Sequence, residues 1–264
     1  MRNIFIILLC VSLNTLAQTP PRKAIMGLQG KAVSNGIQVD SIIPNTTFAL
    51  LKLQKGDILT SINGTKINTL TAYNAVASGI RTSDKTEISF LHNNKEITAK
   101  TNAVMRPYEQ SEIADVQYDW VKFREGYLRV ITRKPKSKTN CPAILLIPGY
   151  GCGSIENYAT SYNGKLINEW LKAGYAVVTI EKSGLGDSYN CAACTEVDLV
   201  TDIESFDAGY NYMQQLPFVD TSNLYVWGHS MGGVIAPEVA KRHHPKAVMV
   251  FGTTFRPWSE FLLE

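Results

Sequence analysis

Residues 226–233 read VWGHSMGG: an apolar run ends at a glycine, a serine follows two positions later, and another glycine stands two positions beyond it. Such spacing suits a sharp strand-to-helix turn, because Gly228 and Gly232 occupy places where a larger side chain would collide with the neighbouring strand or helix. His229 and Met231, the intervening residues, tolerate side chains. An apolar segment at 224–227 precedes the turn and a segment with helical spacing at 231–242 follows it. Ser230 is therefore the candidate nucleophile, and the reading of the rest of the chain works outward from it.

Upstream, YDWVKFREGYLRVITRKP at 118–135 alternates as strands do, and apolar strands are predicted at 143–147, 176–181, 224–227 and 247–251. Helices are predicted between them at 163–173, 197–215 and 231–242. Strand alternating with helix implies an α/β domain with a mostly parallel sheet covered on both faces, spanning 115–264. Sheets of this kind place chemistry at the carboxyl ends of their strands. Three glycine-rich turns fall there: IPGYGCG at 147–153, EKSGLGDS at 181–188 and WGHSMGG at 227–233.

Together these turns resemble the α/β-hydrolase family, in which a nucleophilic serine sits on a strained elbow between strand and helix. The resemblance implies that Ser230 attacks an acyl carbon, that Gly228 and Gly232 shape the elbow, and that the backbone N–H groups of Met231 and Tyr150 form the oxyanion hole. GLGDS, 184–188, matches a structural turn of the family. The family places its acid and then its histidine after the serine, on loops following later strands. None of the four histidines fits that place. His92 belongs to an earlier region. His229 adjoins the nucleophile and points away from it. His243 and His244 end the following helix about 18 Å away, as a solvated helix end. Glu260 and Glu264 are poor candidates for the acid, because FRPWSEFLLE at 255–264 reads as a loop entering a helix. The expectation is that the chain is the amino-terminal part of a longer hydrolase, with base and acid beyond Glu264.

Residues 24–104 differ in texture. GIQVDSIIP at 36–44 and ILTSING at 58–64 alternate, LQKGD at 53–57 turns, TEISFLHNNKEITAKT at 86–101 reads as a hairpin around Asn93 and Asn94, and 71–78 suits one helix. In this order the features resemble a small, β-rich PDZ domain of bacterial exported proteases, most specifically over 36–67. A PDZ domain binds an extended peptide as an added strand and holds its terminal carboxylate on loop N–H groups. IMGL at 25–28 matches that loop, which implies peptide binding at Met26, Gly27 and Leu28. Two departures stand out: Asn45 replaces the glycine that usually follows the proline, and LKL at 51–53 replaces AGL. The alternative is a packing module that binds no peptide. His92 reads as a solvated hairpin residue.

With 264 residues, 45% hydrophobic and 19% charged, the chain has the composition of a globular protein. Its net charge of +3 is spread without a basic run, which excludes a nucleic-acid partner. MRNIFIILLCVSLNTLAQ at 1–18 has the layout of a signal peptide cleaved after Ala17, which implies a periplasmic or secreted protein. Its apolar stretch is shorter than the roughly 20 residues of a membrane span, and the apolar residues after Cys10 disfavour a lipid anchor. Export leaves Cys141, Cys152, Cys191 and Cys194, enough for two disulfides of unassigned pairing. For the CAAC pair at 191–194, a disulfide pinning a loop is preferred to a zinc half-site or a redox pair. No metal or cofactor is indicated, since the chemistry needs only side chains and backbone donors.

The functional expectation is an exported serine hydrolase that cleaves an ester or peptide bond through an acyl-enzyme on Ser230, with a module for polypeptide carboxyl ends. The alternatives are a non-catalytic peptide-binding protein with an incomplete hydrolase-like domain and a thiol-redox protein.

Overall fold

A computed structural model describes residues 20–156, 162–254, 256, 257 and 260. The predicted signal peptide, Cys10 and Glu264 lie outside the described residues.

The first domain is an antiparallel sheet with one long helix. Its elements are β1 (Leu28–Val33), β2 (Gly36–Ile42), α1 (Thr47–Leu50), β3 (Ile58–Ile62), β4 (Thr65–Lys66), α2 (Leu70–Gly79), β5 (Lys85–His92) and β6 (Lys95–Asn102). Strand order is β1-β2-β3-β5-β6, with β4 paired to β3. The alternation seen in the sequence turns Ile37 and Val39 of β2 and Ile88 and Phe90 of β5 inward, and a bulge between Leu59 and Ser61 lets Leu59 and Ile62 of β3 join them around Phe48. Helix α2 starts at Thr69, whose hydroxyl accepts the N–H of Ala72 at 3.0 Å.

Asn93 and Asn94 turn the β5–β6 hairpin with φ of 52° and 60°, the left-handed pair that a two-residue hairpin turn requires. The two departures from the family pattern fall in the same region of backbone space: Asn45 has φ 59° and Lys52 has φ 58°. Asparagine tolerates this conformation, whereas lysine meets its Cβ there at a cost of roughly 1 kcal/mol. His92 corrects the sequence reading. Its Nδ1 lies 2.8 Å from Oδ1 of the buried Asp57, whose other oxygen accepts the Gln54 N–H at 2.8 Å, so it ties the hairpin to the LQKGD turn.

The second domain comprises β7 (Ala114–Phe123), β8 (Gly126–Pro135), β9 (Cys141–Ile147), α3 (Tyr162–Lys172), β10 (Ala176–Ile180), a 3-10 turn at Cys194–Glu196, α4 (Leu199–Gln214), β11 (Val219–His229), α5 (Met231–His243) and β12 (Ala247–Phe251). The sheet order is β12-β11-β9-β10-β8-β7. The β7–β8 hairpin joins antiparallel to β10, and the remaining neighbours run parallel. Strands buried on both faces read as continuous apolar runs. Ala143, Leu145 and Ile147 face α4 and α5, while Ile144 and Leu146 face α3. Strands β10 and β11 divide the same way, with Val178 and Val226 on one side and Val177 and Trp227 on the other.

Chain leaving β9 crosses to β10 on one side, and chain leaving β11 crosses to β12 on the other. A crevice therefore opens between the carboxyl ends of the adjacent strands β9 and β11. Both halves of the candidate site sit at its rim. The residues of β12 are all exposed, Phe251 to 56%, and this outer edge has no paired strand among the described residues.

His243 also corrects the sequence reading. Its Nε2 lies 2.7 Å from Asp207 Oδ1 and its ring stacks on Tyr210 at 4.4 Å, so it fastens α5 to α4 rather than standing in solvent. Of the two histidines only His244 is exposed, in the left-handed conformation that closes the helix.

Candidate active site

Ser230 joins β11 to α5 with φ 53° and ψ −118°, a sparsely populated conformation for a residue with a side chain. Its neighbours hold it there. Ser230 N–H donates to Phe251 O at 2.9 Å on β12, and Ser230 O accepts the N–H of Gly233 at 2.9 Å in the first turn of α5. The flanking glycines are demanded by close approach: a Cβ on Gly228 would lie 2.2 Å from Gly232 O, and one on Gly232 would lie 2.2 Å from Ile147 O. Helix α5 can thus begin only where two backbones touch. Met231, its first residue, carries one of the free N–H groups that a helix start presents to negative charge.

Across the crevice, the 148–156 turn leaves β9 and packs against the elbow. A Cβ on Gly149 would be 3.1 Å from Ser230 Cβ, so Tyr150 directly follows a residue packed against the serine. Tyr150 is 84% exposed. Three ties hold this turn. Cys152 forms a disulfide with Cys194. The Ser154 hydroxyl donates to the Glu181 carboxyl, and the Ile155 N–H donates to its other oxygen at 3.2 Å. Glu156 pairs with Arg22 and with Arg106. Burial pushes the Glu181 carboxyl up to about 7, against the opposing hydrogen bonds from Ser154 and Ile155.

Ser230, Gly228, Gly232, Met231 and Tyr150 are thus brought to one place. His229 lies flat between Trp227 and Phe251, with ring centroids 6.0 and 5.9 Å away, and among the described residues no side chain hydrogen-bonds to Ser230 Oγ. His243 is fastened to α4 through Asp207, and Glu260 donates its backbone N–H to Pro257 O at 3.0 Å.

The disulfide joins cysteines that the sequence left unpaired, and the CAAC pair is not bonded to itself. Cys191 and Cys141 are free thiols whose pKa burial raises, the opposite of what a redox or metal-binding thiol needs. Sequence reasoning also missed Glu181, Glu156 and Asp187. Their signal was faint: each is an ordinary charged residue in a loop, and only burial makes it unusual.

In the first domain, Met26 is buried and its carbonyl accepts the Phe48 N–H, Gly27 O accepts the Ile43 N–H, and Leu28 opens β1 at the sheet edge. Tyr73 of α2 sits across from this strand; burial pushes its phenol up to about 12, with a backbone hydrogen bond from Leu28 working the other way.

Comparison with known families agrees with this architecture. Residues 24–103 match the PDZ domain model, and residues 141–263 match that of the serine aminopeptidases, S33. The chain joins a PDZ domain to an α/β-hydrolase domain. At the level of the family, the match over 141–263 supports a hydrolase domain similar to those of serine hydrolases. Among solved structures, an esterase from Butyrivibrio proteoclasticus with ferulic acid bound is 22% identical, covering 49% of this chain and 50% of that one with a TM-score of 0.42. An α/β serine hydrolase without a lid from Xanthomonas campestris is 16% identical, covering 55% and 63% with a TM-score of 0.41. Acetyl xylan esterase 1 from Thermoanaerobacterium is 21% identical, covering 53% and 48% with a TM-score of 0.42. The chain spans about half the length of the first of these structures. No curated protein matches the sequence. Among the described residues no helix is long and apolar enough to cross a membrane.

Proposed function

We propose that the hydrolase domain cleaves an ester or peptide bond through an acyl-enzyme on Ser230, in a protein exported to the periplasm or beyond, and that the PDZ domain recruits polypeptide carboxyl ends at Met26, Gly27 and Leu28. The observation that carries the catalytic reading is the strained Ser230 at the switch-point crevice, with the 148–156 turn against it. Ser230 Oγ would add to the substrate acyl carbon while its proton passes to a base, and the backbone N–H groups of Met231 and Tyr150 would receive the developing oxyanion. Collapse expels the leaving group with that proton, and water then releases the acyl group. In this reading the base and its acid come from outside the described residues, a placement supported for the base by the described histidines, none of which meets Ser230.

The test is covalent labelling of the full-length protein, as its host makes it, with a fluorophosphonate probe. Labelling that maps to Ser230 and disappears in Ser230→Ala supports the reading, and a wild-type protein that stays unlabelled refutes it. The lack of a described partner for Ser230 Oγ favours a second reading, a peptide-binding protein without catalysis. That reading expects no labelling, together with binding of peptides bearing a free carboxyl end and none of their amidated forms.

A further inference from the structure

Behind the turn that carries Tyr150, the segment leading into the PDZ domain meets the hydrolase domain through charged groups shielded from water. Arg22, 3% exposed, donates through Nη2 to Glu156 and through Nη1 to Asp187. Its Nε donates to Arg106 O at 2.6 Å and Nη2 also to Pro107 O at 2.7 Å, while the guanidinium lies 4.5 and 4.8 Å from the ring centroids of Tyr108 and Tyr118. Asp187 further accepts the Lys23 N–H at 2.7 Å, and its backbone oxygen accepts Arg81 Nη1 at 3.0 Å. Glu156 and Asp187 are 3% and 1% exposed, so neither carboxylate can turn to solvent for compensation.

Glu156 is the last described residue of the 148–156 turn, and its N–H donates to Ser154 Oγ at 3.2 Å. The disulfide secures that turn at Cys152, and Glu181 secures it at Ser154 and Ile155. Its remaining tie comes largely from Arg22, which is not part of the hydrolase domain. The guanidinium geometry matters here: a planar fork can satisfy two carboxylates and two carbonyls at once, which an ammonium cannot. We infer that Arg22 is a positioning residue for the oxyanion turn, holding Glu156 and with it the backbone that follows Tyr150. The hydrolase site is then incomplete without the segment that precedes the PDZ domain. This inference rests on reading 148–156 as the oxyanion turn.

Hydrogen exchange on the full-length protein tests it, comparing wild type, Arg22→Gln, Arg22→Lys and Leu171→Ala, the last a core variant on the α3 face that matches general destabilisation. Under conditions far from unfolding, Arg22→Gln should exchange about tenfold faster over 148–156 and 184–190 with β9 and β11 unchanged, Arg22→Lys should fall between it and wild type, and Leu171→Ala should leave both turns protected. Fluorophosphonate labelling of Ser230 should slow about tenfold in Arg22→Gln and much less in Leu171→Ala. Unchanged exchange over 148–156, or equal loosening in Leu171→Ala, overturns the inference. A wild type that exchanges as expected yet never labels refutes the hydrolase reading while the exchange pattern still decides the positioning role. Should Arg22→Gln fail to fold, Arg22→Lys carries the same comparison.

Discussion

The turn around Lys52 in the PDZ domain closes upon itself, whereas those at the carboxyl end of the hydrolase sheet are each tied to a distant element. Lys52 is held by little more than a 3.5 Å bond from its N–H to Ala49 O, three residues back. The 148–156 turn is bound instead to Cys194, Glu181 and Arg22, residues 42, 27 and 134 positions removed. Both regions hold side-chain-bearing residues at positive φ, Lys52 at 58° and Ser230 at 53°. The strain has opposite standing in the two. Around Ser230 the surroundings over-determine it, through Phe251 O, Gly228 and Gly232, and that is the condition under which strain can aim a nucleophile. At Lys52 nothing in the structure requires it.

The disulfide carries the largest expected effect on this contrast. Removing the Cys152–Cys194 disulfide by substituting both cysteines with serine should cost about 4 kcal/mol by loop-closure entropy. Denaturant unfolding under non-reducing conditions measures it, and a loss below about 1 kcal/mol would show that the other ties suffice. Gly232→Ala should follow, at about 3 kcal/mol or more, because its Cβ meets the backbone of β9 rather than a side chain that can move. The same unfolding experiment reads it, and near-neutral stability would mean that the elbow is looser than the backbone contact implies.

Glu181 gives a pH signature of at most about 3 kcal/mol, from the distance between its ordinary and buried values. Its folded pKa of about 7 lies above the ordinary 4.5, so the folded protein keeps a proton that the unfolded chain has released. Stability contributed at low pH is therefore lost as pH rises from about 4.5 to about 7, and levels off above that. In Glu181→Gln this slope should vanish; a wild type and variant whose stability difference is constant from pH 4 to 8 would contradict the assignment. The smallest effect is a gain: Lys52→Gly should stabilise the PDZ domain by up to about 1 kcal/mol, readable in its thermal unfolding, since relieved strain outweighs the added freedom of the unfolded chain. A loss there would mean that Lys52, too, is held for a purpose.

Much of this architecture was legible residue by residue. The β5–β6 hairpin was marked by Asn93 and Asn94, the parallel strands by apolar runs at 143–147 and 247–251, and the elbow by glycines flanking Ser230. What failed were statements about partners. His92 and His243 read as solvated because the carboxylates that engage them, Asp57 and Asp207, lie 35 and 36 positions away. The cysteines could be counted but not paired, since CAAC spacing says nothing about Cys152.

By itself, then, the sequence determined the order of the two domains, the course of their strands and helices, and the place of the candidate nucleophile. These depend on periodicity and steric demands within a few residues, which neighbours in the chain express directly. Tertiary structure alone decided which cysteines join, that burial raises the Glu181 carboxyl pKa, and that Arg22 reaches across the domain seam to Glu156 and Asp187. Those outcomes depend on burial and on which surfaces meet when β9, β10 and β11 align, and distances of that kind are set only once the whole chain has packed.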